Sequence, residues 1–167
     1  FMGGVTRRYP TLNFGFLEGG VAWASALYND LCEFWEKRNV EYLKEKMDPS
    51  KLDMGLMVEM FEKYGNEYLT AKRIAKRENA DNLFSFHWED KRGLDDFNLC
   101  KAEKKTDIRD LFVPNFYFGC EADDRMNAVA FNQKLNHFNV RLNALFSSDI
   151  GHWDVPDIRL PVEEAYK

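Results

Sequence analysis

Three times along this chain a short apolar run ends in a carboxylate, and a segment with helical spacing follows. Leu12-Asn-Phe-Gly-Phe-Leu17 runs into Glu18-Gly-Gly. Asn115-Phe-Tyr-Phe-Gly-Cys120 runs into Glu121-Ala-Asp-Asp124. Leu142-Asn-Ala-Leu-Phe-Ser-Ser-Asp149 continues through Ile-Gly-His152-Trp-Asp154. A repeated order of strand, acidic turn and helix predicts parallel strands joined by crossover helices, and hence an α/β fold. In such sheets the chemistry gathers where the strands end. Asp149 and His152, three positions apart at the end of the last run, are therefore the first residues to consider for a site.

At 167 residues the chain is long enough for one domain with a core, and its 45% hydrophobic content supports a packed body. The formal net charge of -5 offers no basic patch, so neither nucleic acid nor an anionic membrane is expected as a partner. Cys32, Cys100 and Cys120 show no CxxC spacing and read as reduced thiols of a cytoplasmic protein. No apolar run approaches the ~20 residues of a membrane span, and no signal-peptide pattern is present. The chain opens on Phe1, and the helix beginning at Pro161 stops after about two turns, so the sequence reads as a fragment of a longer protein.

Taken in order, residues 1–10 read as the tail of a helix or a connector ending at Tyr9-Pro10. After the first strand, Val21 to Arg38 carries Trp23, Leu27, Leu31 and Phe34 on one face, with Tyr28 and Trp35 beside them. From Asn39 the pattern stays helical but is punctuated. Asp48-Pro49-Ser50 breaks it, with Ser50 as a cap for a helix striped by Leu52, Leu56, Met60 and Tyr64, and a short helix is expected from Glu67 to Lys76. This excursion, about 39–105, reads as a helical insertion because it is far longer than a crossover requires. Within it Asn82 to Asp90, including His87, alternates enough to be a strand. Thr106 is expected to cap a helix that runs to Val113 before Pro114. Asp123 or Asp124 is expected to cap another, striped by Met126, Val129, Ala130 and Leu135.

Tyr9-Pro10-Thr-Leu12-Asn-Phe, Glu18-Gly-Gly-Val-Ala-Trp23 and Phe146-Ser-Ser-Asp149-Ile-Gly-His152 together resemble the amidohydrolase-related family, the metal-dependent hydrolase and decarboxylase branch of the amidohydrolase superfamily. Ser148-Asp149-Ile150-Gly151-His152 resembles the family's strand-eight ending, and Glu18 stands where the family usually places a strand-six His. The resemblance implies the C-terminal portion of a (β/α)8 TIM barrel, with strands six, seven and eight parallel. The family's His-x-His pair and strand-five His would lie before Phe1. The resemblance also implies a divalent metal, zinc or manganese, with Asp149 and Glu18 as ligands. Asp149 and His152 would be catalytic, and Trp23, Glu121 and Trp153 would line a pocket for a small-molecule substrate. Dimers are common in the family, so a homodimer is compatible with it.

Each of these residues also has a plainer role. Asp149 is suited to capping the turn that follows it, and Glu18 to facing the positive end of the Val21 helix. His152 fits a solvent-facing loop, and Glu121, Asp123 and Asp124 fit a helix start. Trp23 fits a core stripe, and His87 is a lone histidine. Cys120 has no histidine at a readable spacing and is not expected to be a nucleophile. The functional alternatives are an enzyme that hydrolyses or non-oxidatively decarboxylates a small carboxylated or carbonyl compound, and a non-catalytic barrel remnant or scaffold.

Overall fold

The computed structural model of the chain describes residues 1–48, 51–75 and 95–166. They form two compact units, one made of Phe1–Asn39 with Phe97–Lys167 and the other of Val40–Asp96. The first begins with α1 (Val5–Arg8), β1 (Phe14–Phe16) and α2 (Ala22–Arg38). The second contributes α3 (Val40–Lys46), α4 (Met54–Tyr64) and α5 (Ala71–Ala75). The chain returns to the first unit with α6 (Lys105–Phe112), β2 (Phe116–Glu121), α7 (Ala128–Phe131), β3 (Asn143–Ser147) and α8 (Leu160–Glu164). Among the described residues no helix is long and apolar enough to cross a membrane.

The class is α/β, and the sheet is open, three-stranded and parallel in the order β1-β2-β3. Phe14 and Phe16 stand opposite Phe116 and Phe118, while Phe118 and Glu121 stand opposite Ala144 and Ser147 on the other side. Two asparagines pin this register. Asn115 Nδ2 donates to the carbonyls of Pro10 (3.0 Å) and Leu12 (2.9 Å), fixing the approach to β1. Asn143 Nδ2 donates to the carbonyls of Val113 (2.6 Å) and Phe116 (3.1 Å), fixing the start of β3 against β2. Both satisfy backbone acceptors outside the ladder, where an unpaired group would cost free energy.

Because side chains alternate along a strand, one face of the sheet carries Phe14, Phe16, Phe116, Phe118 and Cys120. The core forms there, against α2 and α6. Phe118 stacks on Phe16 (5.7 Å between ring centroids) and meets Trp23 edge-on at 5.5 Å. Phe112 of α6 lies 5.0 Å from Phe116 and 5.6 Å from Tyr28. Across the two helices, Lys105 Nζ donates to Glu36 Oε1 at 2.6 Å.

Several local expectations are corrected. Of the expected α2 face, Leu31 and the adjoining Tyr28 are buried, but Trp23, Leu27 and Phe34 are exposed, and Ala24, Ser25 and Cys32 complete the buried side. The helix is rotated because its small residues face a polar clamp: Ser25 Oγ (2.7 Å) and Asn29 Nδ2 (3.0 Å) both donate to Asn136 Oδ1. That clamp also explains why no single helix spans residues 123–135. Asp124 does cap, accepting from the Met126 amide at 2.8 Å, but it opens a 3-10 turn, Arg125–Asn127, that passes into the four-residue α7. Asn136 donates back to the Val129 carbonyl (2.9 Å), closing the segment on itself. In α6 the cap is Lys104 rather than Thr106, with Asp107 Oδ2 accepting from the amides of Glu103 (2.8 Å) and Lys104 (3.1 Å). In the second unit α4 is capped by Asp53, whose Oδ1 accepts from the Leu56 amide at 2.9 Å, and α5 spans only Ala71–Ala75. The expected cap at Ser50 and the expected strand at 82–90 with His87 lie outside the described residues.

The core has an alkaline weakness. Cys32 is fully buried, and burial pushes its thiol from 9.0 up to about 11. Tyr28, also fully buried, is held well above its ordinary value by burial first and by the neighbouring Cys32 second. The unfolded chain releases the Cys32 proton near pH 9.0, while the folded chain keeps it to about 11. Deprotonation therefore favours the unfolded state across that window, and stability falls as pH rises through it. The urea midpoint should be lower at pH 10 than at pH 8, and Cys32→Ala should flatten the slope. An unchanged slope in the variant would remove Cys32 as the cause.

Candidate functional site

The parallel register brings the three acidic strand endings to one edge of the sheet. Glu18 follows β1 by two residues, Glu121 is the last residue of β2 and lies opposite Ser147, and Asp149 follows β3 by two residues. The turn after β1 crosses close over β2. A Cβ on Gly119 would sit 3.1 Å from Leu17 Cα and 3.3 Å from Glu18 N, and the Gly20 amide donates to the Gly119 carbonyl at 3.0 Å. Gly119 thus permits a backbone approach that a side chain would obstruct.

Asp149 is the best-organised of the three. Its backbone is left-handed (φ 49°), a conformation that Asp tolerates better than most residues. Ser147 Oγ donates to its Oδ1 at 2.8 Å, and the His152 amide donates to its carbonyl at 3.0 Å, closing a tight turn. Gly151, at φ 102°, completes that turn. His152 Nδ1 then stands 4.0 Å from Asp149 Oδ2, beyond direct hydrogen-bond reach. The carboxylate is 26% exposed and the imidazole 57%, so one oxygen is held by the hydroxyl while the other remains open beside a ring nitrogen.

The remaining candidates are more dispersed. Glu18 is exposed on a left-handed backbone (φ 62°). Trp23 is 42% exposed and packs edge-on to Phe16 and Phe118, the position of a half-covered core residue. Trp153 is 94% exposed. Glu121 lines a cavity of about 620 Å³ whose wall also includes Asp123, Phe131, Phe146 and Glu164, but not Asp149, His152 or Glu18. Cys120 Sγ, on the inner wall, donates to the Phe118 carbonyl, and burial followed by the Asp124 carboxylate raises its thiol pKa, so it is poorly suited to nucleophilic attack.

Asp149 and His152 offer one oxygen and one nitrogen donor of the kinds that zinc and manganese accept. Among the described residues no group of three or more His, Cys, Asp or Glu side chains is placed to hold a metal ion. The donors described do not by themselves complete a metal centre. Sequence reasoning missed two features. Ser147 as the partner that orients Asp149 is visible, in retrospect, in the Ser-Ser-Asp ending. The cavity has no local signal, because its walls come from segments far apart in the chain.

No family model, curated protein or solved structure matches the chain. Any functional reading therefore rests on its own residues and on the motif resemblance described above.

Proposed function

We propose that the chain is part of a metal-dependent amidohydrolase-like enzyme, built on a (β/α)8 barrel of which β1, β2 and β3 are strands six to eight. It would hydrolyse or non-oxidatively decarboxylate a small carboxylated or carbonyl compound. The reading is carried by Asp149, held by a hydroxyl just beyond the C-terminal end of a parallel strand, with an imidazole beside its second oxygen. Catalytic groups collect at that end of parallel α/β sheets. Cys32, Cys100 and Cys120, with no CxxC spacing, suit a reducing, cytoplasmic setting.

In this proposal Asp149 supplies one ligand of a divalent ion, zinc before manganese, and Glu18 a second. The other ligands would come from outside the described residues. The chain's own contribution is to orient a carboxylate and to hold a proton. Ser147 fixes Oδ1, leaving Oδ2 as the atom that can accept a proton, and His152 can take up or return one at Nδ1. Purified protein carrying this chain should contain stoichiometric zinc or manganese. Asp149→Asn should lower metal affinity about tenfold or more and abolish turnover of small carboxylated and carbonyl compounds, with the circular dichroism spectrum unchanged. Equal metal content and turnover in the variant would contradict the role of Asp149.

A second reading, a non-catalytic barrel remnant or scaffold, rests on one observation: among the described residues the parallel sheet is open, with β1 and β3 as edge strands. Parallel sheets are normally covered on both faces, so such a remnant should self-associate. A monodisperse monomer with tightly bound metal would select the enzyme.

A further inference from the structure

The cavity beyond β2 is shaped and charged for a ligand that neither reading assigns. At about 620 Å³ it falls within the range of small-molecule sites. Its walls alternate in character. Phe131, Leu145 and Phe146 are all partly exposed and give an apolar surface. Among the described residues Glu121, Asp123, Asp124 and Glu164 supply four carboxylates against the one guanidinium of Arg125. Among the described residues none of these five charged side chains forms a salt bridge. Asp124 Oδ1 is engaged with the Met126 amide, which leaves the carboxylates of Glu121, Asp123 and Glu164 available.

The wall also holds an orphaned acceptor. Asn127 Nδ2 donates to the Glu121 carbonyl at 2.9 Å, while among the described residues its buried Oδ1 has no hydrogen-bond partner. A concave site with an excess of one charge concentrates the opposite charge, and exposed phenyl faces attract cations further. An anion would meet repulsion from the same lining.

We propose that this cavity binds a small organic cation with an apolar body, an arylalkyl-ammonium or a close analogue. The ammonium sits among the carboxylates of Glu121, Asp123 and Glu164, and the hydrocarbon part lies against Phe131, Leu145 and Phe146. The proposal does not depend on Asp149 or on a metal, since neither Asp149 nor His152 lines the cavity.

Calorimetric titration of the full chain at pH 7 with phenethylamine, 2-phenylethanol and 3-phenylpropionate tests it, the three probes being cationic, neutral and anionic with similar apolar bodies. Saturable one-to-one binding of phenethylamine is expected, at least about tenfold tighter than either other probe, since one charge-assisted contact of about 1.4 kcal/mol is worth that factor. The double variant Asp123→Asn/Glu164→Gln should lose about tenfold or more for the amine and little for the alcohol. Phe131→Ala should weaken both. Preference for the anion or the alcohol, absence of saturable amine binding, or equal amine affinity in the charge variant with an unchanged circular dichroism spectrum would each overturn it.

Discussion

Phe118→Ala should lower the unfolding free energy of the first unit by about 4 kcal/mol, within the range seen when a buried aromatic is truncated. Phe118 is 1% exposed and sits in the central strand, in register with Phe16 on one side and Ala144 on the other. Its ring stacks on Phe16, meets Trp23 edge-on and faces Phe112 at 6.3 Å, so truncation opens a void where the sheet and both covering helices meet. Little can collapse into it, because Phe112 is already engaged with Phe116 and Tyr28. Urea denaturation followed by tryptophan fluorescence measures the loss. A cost below about 1 kcal/mol would mean that the site relaxes freely or that the strand is not central.

Gly4→Ala is expected to cost about 3 kcal/mol, for a different reason. Gly4 has φ 75°, and a Cβ placed there would overlap the carbonyl oxygen of Leu99. Left-handed backbone alone costs a residue with a Cβ about 1–2 kcal/mol, and the collision adds to this because its partner is main chain. The segment has little freedom to yield. Arg7 Nη2 donates to the Lys101 carbonyl at 2.7 Å, and Arg8 Nη1 to the Gly3 carbonyl at 2.7 Å, tying both sides of the contact. Gly3→Ala is the control: among the described residues nothing lies within 4 Å of its Cβ position, and the change should be close to neutral. Equal thermal midpoints for the two variants would refute the close approach of Gly4 to Leu99.

The three strands were legible because each is a short apolar run stopped by a carboxylate, a pattern that survives tertiary context. Their common direction was legible from the helical lengths between them. The face that α2 buries was legible only at Tyr28 and Leu31. Periodicity favours the largest apolar side chains, Trp23, Leu27 and Phe34, whereas the fold turns inward Ala24 and Ser25, which leave room for the Asn136 clamp. The interrupted helix after Asp124 escaped notice for the same reason: Asn132 and Asn136 offer backbone groups side-chain partners that compete with helical ones. At the candidate site, the spacing of Asp149 and His152 indicated their proximity, and the turn delivers it. The separation of Glu121 from Asp149 into different surroundings was hidden, because strand register fixes only where backbones end. Side-chain direction there depends on α7 and α8, whose cavity walls no local pattern announces.

Glu18, Glu121 and Asp149 share an edge only because β1, β2 and β3 run the same way. Amide-to-α-proton nuclear Overhauser contacts in the isotopically labelled chain read this directly. The expected pattern links Phe14 with Phe116 and Phe16 with Phe118, and Tyr117 with Asn143 together with Glu121 and Ser147. Crossed pairs, Phe14 with Phe118 and Phe16 with Phe116, would mean antiparallel strands and would contradict the shared rim.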